Sequence, residues 1–157
     1  MSYIPELVIT VGIPGCGKST WVNEHKGGAF VICPDDIRRE ITGNITDQSQ
    51  NDKVWAIAKT RVSAWLNNKY DVILDATNVS TKGRRSFIEG LPKCRLVAQC
   101  FPMAPEEAYA RIKKDLDAGV DRSVVPEELV YRMYGEYLYT VKVLKSEGFM
   151  VFIKIKT

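Results

Sequence analysis

The chain has 157 residues, 45% hydrophobic and 26% charged, with a net charge of +3. That length is typical of one domain with a true core, and the composition excludes a disordered or low-complexity chain. No apolar run approaches the ~20 residues needed to span a bilayer, so no membrane partner is expected.

In chain order, residues 6–11 (ELVITV) read as a strand. Gly12-Ile13-Pro14-Gly15-Cys16-Gly17-Lys18-Ser19 follow it and open a helix from Lys18 to about Glu24. A Gly-x4-Gly-Lys-Ser stretch between strand and helix is a phosphate-binding loop. Its glycines let successive N–H groups curl around an anion, and the helix N-terminus adds partial positive charge. Lys18 can reach the β- and γ-phosphates, and the Ser19 hydroxyl can ligate Mg²⁺. Gly12, Pro14, Gly15, Cys16, Gly17, Lys18, Ser19 and Thr20 are therefore the expected donor-binding set, for ATP or another nucleoside triphosphate with Mg²⁺. Cys16 reads as a small uncharged filler.

Residues 29–33 (AFVIC) form the next expected strand, followed by a helix over 34–42 and a polar loop over 43–51. The helix expected over 52–67 places Val54, Ile57, Ala58, Val62, Trp65 and Leu66 at helical spacing, with its tryptophans as core side chains. Residues 72–75 (VILD) are a strand ending in an acid, and 82–89 a short helix. Residues 95–101 form a fourth strand. Pro105-Glu106-Glu107 starts a helix that runs to about Ala118 and stops at Gly119. Pro126-Glu127-Glu128 starts the last helix, to about Ser146, with Val130, Met133, Tyr134, Tyr137, Leu138, Val141 and Leu144 on one stripe. Residues 149–155 form the fifth strand.

Alternating strands and helices predict an α/β, P-loop NTPase fold: a five-stranded parallel sheet with helices on both faces. The whole of 1–157 reads as one P-loop kinase domain, with a helical lid at about 104–126. Ligands of such sheets sit at the carboxyl ends of the strands. That rule puts Gly12, residues 33–35 and Asp75 on one crevice.

The chemistry-bearing residues follow. Phosphoryl transfer to an alcohol needs a carboxylate to take the hydroxyl proton. Asp35 is the candidate base, and Asp36 remains open, since adjacent helical residues point about 100° apart. Arg38, three residues on from Asp35, can hold an anionic group of the acceptor in two parallel hydrogen bonds. Asp75 is the candidate Mg²⁺-holding acid, or an acceptor contact. Thr77 and Asn78 can bond a phosphate or a base, and Lys82, Arg84 and Arg85 flank a helix near the same mouth. From the lid, Arg111 or Arg122, with Lys114 behind them, can stabilise charge developing on the donor. Cys16, Cys33, Cys94 and Cys100 form no Cys-x-x-Cys pair and His25 is the single histidine, so zinc is not expected. Residues 1–6 lack the order of a signal peptide, and a cytoplasmic protein without disulfides is expected.

The loop through Trp21, then Asp35-Asp36-Ile37-Arg38, Asp75-Ala76-Thr77-Asn78, Arg84-Arg85, and Val125-Pro126 with Arg132-Met133-Tyr134, resemble the phage polynucleotide kinases in order and rough spacing. The resemblance spans nearly the whole chain. It implies transfer of the ATP γ-phosphate to 5′-hydroxyl ends of DNA or RNA, with Asp35 as base and Arg38 on the acceptor's 3′-phosphate. By that analogy Lys18 and a lid arginine, Arg122, complete the catalytic set. Arg38, Asp75, Thr77, Asn78 and Arg85 form the substrate set. Ser19 and Asp75 hold the metal. A phage origin would put the protein in the host cytoplasm. Three departures stand out. The chain has no room for a phosphatase domain, so 3′-end repair is not expected. The acid before Thr77 sits one place earlier than in the phage enzymes. The lid is longer and its arginines fall in another register. Two other readings use the same residues: a kinase for a different alcohol (a hydroxymethylated base in DNA, a nucleoside or a small metabolite), and a nucleotide-dependent binding module.

Overall fold

The computed structural model describes residues 3–155. Met1 and Ser2, part of the stretch read for a signal peptide, lie outside it, as do Lys156 and Thr157. Strand β1 (Glu6–Val11) leads through the phosphate loop into helix α1 (Lys18–His25). Then come β2 (Phe30–Ile32), α2 (Pro34–Thr42), α3 (Asn51–Asn67), β3 (Val72–Leu74) and α4 (Thr81–Ile88). The chain closes with β4 (Arg95–Cys100), α5 (Pro105–Asp117), α6 (Glu127–Val143), a 3-10 turn (Lys145–Glu147) and β5 (Met150–Ile153).

The five strands form one parallel sheet in the order β2-β3-β1-β4-β5. This is the sheet expected from the alternation of elements. β1 is central: Leu7 pairs with Val72 of β3 on one side and with Leu96 of β4 on the other. Leu7, Ile9 and Val11 are buried, and so is every residue of β3. Strands sealed on both faces have no place for alternation, which explains their continuous apolar runs.

Local chemistry places the helices. α2 starts with Pro34 in the first turn, beside Asp35 and Asp36, where acids favour the positive end of the helix. The Ser80 hydroxyl caps α4 by accepting from the Gly83 N–H at 3.1 Å. α3 buries Val54, Ala58, Val62 and Leu66, one side chain per turn.

Two expectations need correction. The fifth strand is shorter than 149–155. It lies at the sheet edge, where Met150, Phe152 and Ile153 are exposed, because a strand paired on one side only is half uncovered. Leu138 of α6 is 47% exposed and does not share the buried stripe of Val130 and Tyr137.

Candidate active site

The phosphate loop joins the end of β1 to α1, and its glycines are required by contact as well as by conformation. Gly15 has φ +83°, and a Cβ there would lie 2.6 Å from the Ala108 carbonyl oxygen of α5. Gly17 caps α1 with φ +93°, a conformation that side-chain-bearing residues rarely adopt. The loop is sewn to the segment after β3. The Gly12 N–H donates to the Thr77 carbonyl at 3.0 Å. Thr10 Oγ1 donates to the Ala76 carbonyl at 2.7 Å, and Asn78 Nδ2 donates to the Thr10 carbonyl at 2.7 Å.

Lys18 folds back over the loop. Its Nζ donates to the carbonyls of Gly12 (3.1 Å) and Ile13 (2.8 Å) and lies 3.6 Å from Cys16 Sγ. Ser19 Oγ donates to Asp75 Oδ2 at 3.0 Å. Asp75 is buried, and that burial raises its carboxyl above the usual range. The Ser19 hydrogen bond and the Lys18 charge pull it down, while Asp35 and Asp36 push it up. A hydroxyl and a carboxylate in contact are hard oxygen donors suited to Mg²⁺, which keeps several of its waters. Ser19 and Asp75 therefore fit the metal expected there.

Across the cavity, Arg38 of α2 is almost fully buried. Its Nη1 meets Asp35 Oδ1 at 2.5 Å. Its Nε and Nη2 donate to Asn51 Oδ1 at 3.3 and 2.8 Å. Asn51 opens α3 and donates in turn to Gln48 Oε1 at 2.7 Å. Asp36 also lines the cavity and pairs with Arg39 at 3.0 Å. Cys33, behind these acids, has its thiol pushed up to about 12. Burial is the main cause, and the carboxylates of Asp75, Asp36 and Asp35 add to it.

Arg39 also reaches the segment after α5, pairing with Asp121 Oδ2 at 3.0 Å. Arg122 Nη1 meets Asp115 Oδ2 at 2.7 Å, while its buried Nε has no hydrogen-bond partner. Arg111 lies closest to the loop: its Nη1 is 3.8 Å from the place a Cβ on Gly17 would occupy. Together these elements enclose a cavity of about 1020 Å³, above the usual range for one small ligand.

Pro14, Gly15, Gly17, Lys18, Ser19 and Thr20 line this cavity, and so do Asp35, Arg38, Asp75, Thr77 and Arg122. Gly12 and Cys16 lie behind the loop, buried or used in packing. Asn78 and Arg85 are not in the lining: the amide of Asn78 is spent on β1, and Arg85 is exposed on α4. Arg84, expected at the mouth, is instead buried. It donates through Nε and Nη2 to the two carboxylate oxygens of Glu147 at 3.0 and 2.9 Å, and through Nη1 to Thr140 at 2.8 Å. Asn51 and Gln48 are members of the site that the sequence reading left in a polar loop. Nothing in their residue types marked them, because their role depends on where Arg38 points. Among the described residues no group of three or more His, Cys, Asp or Glu gathers as a metal site. No helix among them is long and apolar enough to cross a membrane.

Comparison with known proteins gives one family and a set of structural relatives. A family model described as an AAA domain matches residues 7–137. Two similar structures are chains of the Pnkp1/Rnl/Hen1 complex. One, from the complex described as an RNA repair complex, has a TM-score of 0.77 and 22% identity over 90% of this chain and 47% of its own. The other has a TM-score of 0.64 and 26% identity over 71% of this chain and 40% of its own. The chain thus spans less than half the length of these relatives. A gluconokinase from Sinorhizobium meliloti 1021 has a TM-score of 0.58 at 14% identity, over 99% of this chain and 86% of its own.

Proposed function

The chain belongs to the AAA domain family, with a P-loop kinase-like fold, and on that premise we propose that it is an ATP-dependent kinase of polynucleotide 5′-hydroxyl ends. The observation that carries this reading is the Asp35–Arg38–Asn51 cluster, set on the far wall of the same cavity as the phosphate loop. A module that only binds nucleotide has no use for a carboxylate and a fixed guanidinium there. The likeness to chains of an RNA repair complex supports a nucleic-acid end as the acceptor.

The geometry supports the following reaction. The triphosphate lies along the loop N–H groups. Lys18 exchanges its bonds to the Gly12 and Ile13 carbonyls for the β- and γ-phosphate oxygens. The acceptor's 5′-oxygen bonds to the γ-phosphorus as the bond to the β–γ bridging oxygen breaks, and its proton passes to Asp35. Arg38, held by Asp35 and Asn51, turns its two remaining N–H donors to an acceptor phosphate. Ser19 and Asp75 would hold Mg²⁺, which would supply positive charge against the phosphates. Arg111 or Arg122 supplies a further positive charge from the lid.

The test is transfer of labelled γ-phosphate to a 5′-hydroxyl oligonucleotide. Asp35→Ala is expected to lower kcat by about a hundredfold or more while the protein still binds ATP. A nucleic-acid acceptor also predicts a KM that rises steeply with salt. Transfer to a neutral alcohol with no salt dependence would replace this acceptor by a small metabolite. Undiminished transfer by Asp35→Ala would remove Asp35 from the chemistry.

A further inference from the structure

The chain has three tryptophans, and two of them are occupied. Trp65 stacks flat on Phe30, with ring centroids 3.6 Å apart, and Trp21 stacks on His25 at 4.6 Å. Trp55 is different. It sits on α3 one residue off the buried stripe, is 36% exposed, and lines the cavity. Its ring meets the buried Phe87 at 81°, centroids 5.9 Å apart, so the indole is braced rather than loose. It lies one helical turn beyond Asn51, and residues four apart share a helix face. Asn51 is the side chain that holds Arg38. The wall that presents the guanidinium therefore continues directly into an exposed aromatic ring.

An indole about one-third exposed in a polar cavity presents an apolar face that a flat ring can cover. Nucleobases have that shape, and every base has a π-face, so stacking accepts any sequence. Resting on the acceptor reading above, we infer that Trp55 is the stacking platform for the nucleobase next to the phosphate that Arg38 holds. The site then grips the acceptor twice, by charge at Arg38 and by a ring at Trp55. It discriminates little among terminal bases.

The experiment compares wild type, Trp55→Ala and Trp55→Phe on a 5′-hydroxyl oligonucleotide and on one abasic at its two 5′-terminal positions. Trp55→Ala is expected to raise the oligonucleotide KM about tenfold or more, the size of one base–aromatic stack, with the ATP KM unmoved. Trp55→Phe is expected to recover most of the loss. The abasic substrate is expected to bind worse than the intact one to wild type, but equally to Trp55→Ala. Fluorescence quenching by the same two oligonucleotides reads the stack without turnover. Base-dependent quenching that disappears in Trp55→Phe, with no transfer detected, would keep the platform and sink the 5′-kinase reading. Transfer by Trp55→Ala at the wild-type KM, or an equal abasic penalty in both proteins, would overturn the platform and leave the kinase reading standing. Absence of base-dependent quenching overturns the platform whatever the transfer assay shows.

Discussion

Asp75 is a carboxylate kept where ionisation is unfavourable. Burial is the largest cause, and its folded pKa is raised above the unfolded value of 3.8. An acid shifted this way stabilises the fold fully below the unfolded value and loses that contribution as pH rises through the folded one. At neutral pH the ionised group is a net burden on the nucleotide-free protein. Asp75→Asn keeps the shape and still accepts from Ser19. Without nucleotide or Mg²⁺, urea melts are expected to find it more stable than wild type at pH 7, with the gap closing toward pH 4. Identical pH profiles for the two proteins would show that Asp75 carries no such burden.

Arg84 is the opposite case, a buried charge fully matched. Its side chain is 1% exposed and that of Glu147 8%. Removing one partner strands the other, at a cost of about 3–5 kcal/mol. Arg84→Met is expected to lower Tm by roughly ten degrees. Adding Glu147→Leu restores most of the loss, while Arg85→Ala on the exposed face changes little. If the double variant melts no higher than the single one, the pair is not the source of the loss. Sequence reasoning put Asp35 and Arg38 on one helical face because three-residue spacing on a helix is visible in one line of text, and the two side chains pair there. It placed Arg84 at the mouth because its partner lies 63 residues away, where no local pattern reaches. Asn78 likewise has a distant partner: a small polar residue after a strand end serves a ligand or a neighbouring strand, and its amide nitrogen bonds the Thr10 carbonyl.

Among elements, α5 and the segment after it differ in how they are held. α5 packs Ala108 and Ile112 into the core, and Gly15 of the loop sits against it. Residues 118–126 leave that anchor and cross to α2 and the 43–50 loop without regular structure. Arg122 ties the crossing back to Asp115 of α5 at 2.7 Å, and two polar contacts join it to the far side: Asp121 to Arg39, and the Val124 N–H to Thr46 Oγ1 at 3.4 Å. The Asp121 and Arg39 side chains are 73% and 42% exposed, and such pairs contribute about 1 kcal/mol or less. The crossing can therefore open without disturbing the sheet. Asp121→Asn is expected to leave Tm within a few degrees of wild type while proteolysis within 118–126 accelerates. Unchanged cleavage kinetics would mean that the ion pair does not hold the lid. The start of α5 at Pro105 and its end before Gly119 were legible from helix-boundary chemistry. The path of 118–126 was not, because contacts with α2 and the 43–50 loop set it, and these lie far off in sequence.

At the scale of the molecule, the class of fold was open to reading because buried parallel strands must be apolar throughout. Strand order was not, since β2, β3 and β4 are all short apolar runs and nothing within a run names its neighbour. The observed order puts the first strand in the middle. β1 emerges first during synthesis, yet both of its partners, β3 and β4, lie more than sixty residues downstream. The phosphate loop inherits that delay. Its anchors at Ala76, Thr77 and Asn78 come after β3, and the helix against which Gly15 rests comes after β4. A ribosome-bound chain thus carries a complete Gly-x4-Gly-Lys-Ser signature for most of its synthesis without a site to go with it. The loop therefore takes its folded shape only once β3, β4 and α5 have joined the first strand.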